Sequence, residues 1–71
     1  MADGESPLLA SLRAAVAAAP ADVPLRIHLA ELLLGAGGHD EAVGHLAAAL
    51  SYDPGNGQAR ALMARAVAPP P

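Results

Sequence analysis

The sequence predicts an all-α fold in which four helices form a helix-turn-helix array. Clusters of proline and glycine divide the 71 residues into four segments, and apolar residues recur in each segment at intervals of three and four. No segment alternates apolar and polar residues with a period of two, as a half-buried strand would. The chain also resembles itself when it is shifted by 34 residues, a period typical of paired helices that stack.

The start signals agree with helices over residues 7–19, 24–35, 40–52 and 57–68. Ser6 is a suitable N-cap for the first helix, with proline at the first helical position, and Asn56 is a suitable N-cap for the last. Asp40 and Glu41 fall in the first turn of the third helix, where carboxylates favour the positive end of the helix dipole.

The turn between the second and third helices is rich in glycine. We expect Gly35, Gly37 and Gly38 to supply the left-handed backbone conformations of a tight turn. On either side of the helical domain, residues 7–68, we expect a flexible N-terminal leader over residues 1–6 and a proline-rich tail over residues 69–71.

The composition excludes several classes of function. The chain is 54% hydrophobic but has a single aromatic residue, so any core consists of Ala, Leu and Val and is thin. The absence of cysteine excludes disulfides and thiolate metal sites, which fits a reducing cytoplasm. The net charge of −3 and four dispersed arginines argue against nucleic acid as a partner. An acidic N-terminus and the lack of a long apolar run argue against a secretory signal or a membrane span.

The internal repeat carries a resemblance to a known family. With the 34-residue shift, Pro20 aligns with Pro54 and Arg26 with Arg60. The aligned small and apolar pairs are Leu12 with Leu46, Ala15 with Ala49, Val16 with Leu50, Leu29 with Met63, Ala30 with Ala64, and Leu33 with Val67. Residues 23–56 resemble one complete tetratricopeptide repeat, whose signature positions are filled by Leu29, Ala30, Leu33, Ala42, Leu46, Ala49 and Pro54. Arg26 and Leu46 depart from that pattern, because the family usually has aromatic residues there.

The resemblance implies a right-handed superhelical array. Residues 7–22 resemble the second helix of a preceding repeat, and residues 57–68 resemble the first helix of a following one. Independently of the family, Ala30 and Ala42 are small where two helices must approach closely, so we expect both to be buried. Such an array is also similar to the short repeat segments that precede some bacterial ATPase domains.

No constellation of residues favours chemistry. The glycine-rich segment 35–40 opens a helix, but no strand precedes it, the chain has no lysine, and Asp40 and Glu41 would repel phosphate. His28, His39 and His45 lack the spacing of a metal site, since among them and the nearby acids only Glu41 and His45 are four residues apart. No serine is spaced with a histidine and a carboxylate, so we expect no cofactor, no metal and no enzymatic activity.

Two surfaces are candidates for binding. In tetratricopeptide repeats the first helix of each pair lines a concave groove, and the resemblance places six residues there: Ile27, Glu31, Leu34, Gln58, Ala61 and Arg65. The family's two-carboxylate clamp is not expected, because Ile27, Glu31, Ala61 and Leu62 stand where Lys, Asn and Arg are required. At the other surface we expect Met63 to be largely buried and Leu62 and Val67 to form an exposed edge, because the prolines at 69–71 cannot continue into a covering helix.

The function that follows from the resemblance is a protein–protein interaction module, a scaffold or adaptor that binds a protein or peptide. Two alternatives stay open. One is a regulatory or docking segment of a larger enzyme, such as an ATPase, whose activity lies in a downstream domain. The other is a small adaptor that self-associates through the apolar face of its last helix.

Overall fold

Four helices and short turns make up the part of the chain that the computed structural model describes, residues 6–68. The helices are α1 (Pro7–Ala18), α2 (Val23–Gly35), α3 (His39–Tyr52) and α4 (Gly57–Val67). Each bound lies within one residue of the sequence prediction, so the all-α fold is confirmed. Apart from Ser6, the expected leader (1–6) and tail (69–71) lie outside the described residues.

Side chains cap three of the four helices. The Leu9 amide donates to Ser6 Oγ at 3.1 Å, and the Ala59 amide donates to Asn56 Oδ1 at 2.9 Å. Both caps were predicted. Asp22 was not, yet its Oδ1 accepts from the amide of Leu25 at 3.1 Å and begins α2. Each cap satisfies an amide that otherwise lacks an intrahelical partner, so the helix starts are fixed locally.

The turn between α2 and α3 needs one left-handed residue. Gly37 has φ of +86°, and it is the one described residue with positive φ. The amide of Gly38 donates to Leu33 O at 2.7 Å and that of Gly37 to Leu34 O at 3.3 Å, the pair of bonds that defines a Schellman motif. The expectation that Gly35 and Gly38 are also left-handed was wrong, because the motif requires that conformation only at Gly37.

Helix α2 is the centre of the fold. It packs against α1, α3 and α4, most extensively against α3, whereas α1 and α3 do not approach each other closely along their backbones. Its side chains are apolar nearly all round, as expected for a helix with neighbours on several sides. The fully buried side chains include Ala30 of α2 and Ala42 of α3, so the predicted burial of both alanines is confirmed.

Each described helix contributes residues to a single core. In α4 the buried residues are Ala59, Leu62 and Ala66, and in α1 they are Leu9 and Val16. The other members come from α2 and α3, namely Ile27, Leu29, Ala30, Leu33, Leu34, Ala42, Leu46 and Ala49. The core is built from alanine and aliphatic side chains, so the helices lie close together and hold the surface residues in fixed positions.

Candidate interaction surface

The exposed part of α2 is a narrow strip. Pro24, His28, Glu31 and Gly35 are exposed and lie three or four residues apart, which places them on one side of the helix. Glu31 is the one of the six predicted groove residues that this strip contains. The rest of α2 faces the core or is half-buried, so a partner reaches the helix only along this side.

Ile27 and Leu34 do not line an open groove. Both were predicted to face a partner, but their side chains are only 4% and 7% exposed. They lie seven residues apart on one face of α2 and belong to the core. The prediction was wrong because it treated α2 as a helix with one buried face, whereas three other helices pack against α2.

The part of the predicted groove on α4 is accessible. Gln58, Ala61 and Arg65 are all exposed, and they follow one another at intervals of three and four residues. In the 34-residue alignment Arg65 is the counterpart of Glu31, so two successive equivalent positions carry opposite charges. Because α2 and α4 pack against each other, these charges belong to neighbouring helices.

The predicted exposed edge is divided between two faces of α4. Val67 is 63% exposed, but Leu62 is only 7% exposed and lies in the core. The expectation for Leu62 was wrong because this residue shares a face with Ala59 and Ala66, which pack inward, while Met63 and Val67 lie about 100° further round the helix. Met63 is half-buried.

A polar network joins three helices at another part of the surface. Arg13 of α1 makes a bidentate ion pair with Glu41 of α3, its Nε and Nη2 donating to Oε2 and Oε1 at 2.7 and 2.8 Å. His45 lies one turn after Glu41, with its Nε2 at 3.4 Å from Glu41 Oε2. The network therefore links α1 to α3, two helices whose backbones do not pack together.

Arg26 extends this network to α2. Its Nε donates to the carbonyl oxygen of Pro20 at 2.6 Å, and its Nη1 lies 3.1 Å from His45 Nδ1. Because a guanidinium only donates, the Arg26 contact is a hydrogen bond when His45 Nδ1 accepts and Nε2 carries the ring proton. Arg26 thus occupies the position where the family usually has an aromatic residue, and it makes hydrogen bonds there where an aromatic ring would pack.

Electrostatics at Glu41 follow from this geometry. The hydrogen bonds from Arg13 lower the pKa of the Glu41 carboxyl from its ordinary value of 4.5, desolvation opposes them in part, and His45 lowers the pKa further. Sequence reasoning noted the four-residue spacing of Glu41 and His45 but not their partners. The arginines come from other helices, and the sequence carries no short-range signal for them.

Comparison with protein families identifies the fold. A tetratricopeptide repeat family model matches residues 2–68. The chain belongs to the tetratricopeptide repeat family. Searches of curated proteins and of solved structures gave no match. Tetratricopeptide repeats are in general protein–protein interaction modules without catalytic activity, so protein is the class of partner that membership implies.

The described residues contain neither a membrane-spanning helix nor a group of metal ligands. None of the four described helices combines the length and apolar character needed to cross a bilayer. Between residues 6 and 68, no three histidine or acidic side chains are grouped as metal ligands would be.

Proposed function

We propose that this tetratricopeptide repeat protein acts as a scaffold or adaptor that binds a protein segment along the exposed sides of α2 and α4. The surface consists of Glu31 on α2 and of Gln58, Ala61 and Arg65 on α4, and we call it the groove strip. The observation that carries the proposal is the exposure of these four residues on two helices that pack against each other. The lack of cysteine supports placing this function in the reducing cytoplasm.

The charges of the groove strip define the chemistry of the partner. Packed helices have axes about 8–10 Å apart. The carboxylate of Glu31 and the guanidinium of Arg65 occupy equivalent positions on two such helices, so we expect the two charges to lie about 10 Å apart. A partner segment with a basic and an acidic side chain about 10 Å apart would match both charges. An extended peptide meets this requirement when the two side chains are three residues apart, because its rise is about 3.1 Å per residue in the polyproline conformation.

A selection from a random peptide library tests this function. Peptides that bind the wild-type chain are measured against Arg65→Glu and Glu31→Arg, and each change should weaken binding by about fivefold or more, because it places like charges together. The matched control is Arg60→Glu, which reverses an arginine that is also exposed on α4 but lies five residues from Arg65, on a different side. Binding to this control should stay at the wild-type level.

The charge-swapped double variant Glu31→Arg/Arg65→Glu sharpens the result. It should lose the peptides selected by the wild type and bind versions in which the acidic and basic residues are exchanged. Equal binding of the selected peptides to wild type, Arg65→Glu and Arg60→Glu would contradict the groove strip. So would a library that yields no specific peptide at all.

A further inference from the structure

The first and last of the described helices each have an apolar face that is partly exposed. In α2 the most deeply buried residues are Leu29, Ala30 and Leu33, each at most 2% exposed, and α3 is the helix against which α2 packs most extensively. Their counterparts 34 residues later, in α4, are Met63, Ala64 and Val67. Within the described chain Met63 is half-buried and the other two are exposed, so this face of α4 has no helix like α3 against it.

Helix α1 also has an apolar face that is partly exposed. In α3, which packs most extensively against α2, the fully buried residues are Ala42, Leu46 and Ala49. Their counterparts 34 residues earlier, in α1, are Leu8, Leu12 and Ala15. Leu8 is 55% exposed and the other two are half-buried. Helix α1 therefore presents the face that α3 uses to complete a repeat, and among the described residues no helix like α2 covers it.

We propose that copies of this chain associate head to tail, with α4 of one copy packing against α1 of the next as α2 packs against α3 within one copy. The contact would complete one tetratricopeptide repeat between two molecules. We call the faces Met63/Ala64/Val67 and Leu8/Leu12/Ala15 the tail face and the head face.

The two faces keep Leu12, Ala15 and Ala64 identical to Leu46, Ala49 and Ala30, but Leu8 is larger than Ala42. Leucine replaces Ala42 on the head face, and the smaller Val67 replaces Leu33 on the tail face, which compensates part of the added volume. The polar contact between Arg26 and His45 has a counterpart as well, because Arg60 aligns with Arg26 and Ser11 with His45. A serine hydroxyl can accept from a guanidinium, so this pair can also form a hydrogen bond.

Charge favours head-to-tail pairing over contact between two tail faces. Helix α4 contains Arg60 and Arg65 and no carboxylate, so two α4 helices in contact would bring only positive charges together. The arginine of α1, Arg13, is already engaged by Glu41 of α3. A tail face therefore meets less repulsion on a head face than on another tail face.

The form of the assembly follows from its geometry. Head and tail are different surfaces, so each added copy leaves one of each open, and the contact does not close unless the rotation between copies generates a ring. The two helices of the contact, α1 and α4, are only 12 and 11 residues long, so the interface lies at the small end of the range for protein complexes, below about 1,200 Å². We expect the average mass of the wild-type chain to rise steadily with concentration, without a single preferred size.

Mixing two variants tests the proposal. Val67→Glu blocks the tail face and Leu8→Glu blocks the head face, and each variant alone should remain a monomer in sedimentation velocity at concentrations where the wild type associates. An equimolar mixture should form a dimer of twice 7.0 kDa and nothing larger, because one intact head and one intact tail remain. The tail face of Val67→Glu and the head face of Leu8→Glu cannot pair, because their contact would bring the two introduced glutamates together.

Control variants distinguish this contact from non-specific hydrophobic association and from peptide binding at the groove strip. Tyr52→Glu changes another large exposed apolar residue, on α3, and should leave association unchanged. Arg65→Glu should impair peptide binding without abolishing association, so either proposal can fail alone. Circular dichroism checks the helix content of each variant, and Ala64→Glu, also exposed on the tail face, replaces Val67→Glu if that variant unfolds.

Three results would overturn head-to-tail association. The wild type could stay monomeric up to millimolar concentration. Leu8→Glu could associate as well as the wild type, which would indicate contact between two tail faces. The mixture of folded Val67→Glu and Leu8→Glu could show no dimer at concentrations where the wild type associates.

Discussion

The close approach of α2 and α3 can be tested at Ala42. This residue and Ala30 of α2 are fully buried, in the most extensive helix pair of the fold. Ala42→Leu adds three carbon atoms where no space is open, and inserting atoms into a packed core costs about 1–3 kcal/mol. A domain of this length has a total stability of about 3–10 kcal/mol, so the loss is a large fraction of it.

The expected change is large enough to measure by thermal unfolding. For a small domain each kcal/mol lowers the melting temperature by about 4–8 °C, so Ala42→Leu should melt about 5–20 °C below the wild type. Far-UV circular dichroism follows the transition. A low protein concentration keeps association from adding to the apparent stability.

The matched control is Ala47→Leu on the same helix. Ala47 is exposed, so the same substitution should change stability by no more than about 0.5 kcal/mol. If Ala42→Leu and Ala47→Leu melt at the same temperature, α2 and α3 do not pack closely at Ala42.

Two further predictions concern the polar network and the turn. Because the pKa of Glu41 is lowered in the folded state, its ion pair contributes stability above the ordinary value of 4.5 and loses it as pH falls through the folded pKa. Urea unfolding should therefore show Glu41→Gln less stable than the wild type at pH 7, by up to about 1 kcal/mol for a partly exposed pair, and the difference should shrink as pH falls below 4.5 and through the folded pKa. Glu31→Gln is the exposed control, and a difference that stays constant as the pH is lowered would contradict the ion-pair explanation. Gly37→Ala places a side chain at φ of +86° and should cost about 1–2 kcal/mol, whereas Gly35→Ala, at a helical position with open space, should stabilise by about 0.4–1 kcal/mol. Equal effects on the urea midpoint would show that the left-handed conformation of Gly37 is not required.

The groove strip was only partly predictable from the sequence. Glu31, Gln58, Ala61 and Arg65 are exposed, but Ile27 is buried although the family resemblance assigned it to the same surface. A repeat pattern specifies which positions are equivalent along the chain. It does not specify how much of each position the adjoining helices cover, and a short array differs in this respect from a long one.

The sequence by itself determined the helices and their pairing. Their starts and ends depend on proline, glycine and capping side chains within a few residues, and their faces depend on a periodicity that one helix displays alone. The small residues Ala30 and Ala42 likewise predicted the contact between α2 and α3. These signals are local, or repeat at a fixed interval, so they can be read without three-dimensional coordinates.

The tertiary structure decided which face of each helix meets another helix. Leu62 is buried because that side of α4 packs into the core. Val67, five residues later, is exposed because no described helix covers it. The ion pair of Arg13 with Glu41 depends on residues 28 positions apart in two helices whose backbones do not pack together. Such contacts depend on how all four helices are arranged, and no short segment of the sequence contains that information.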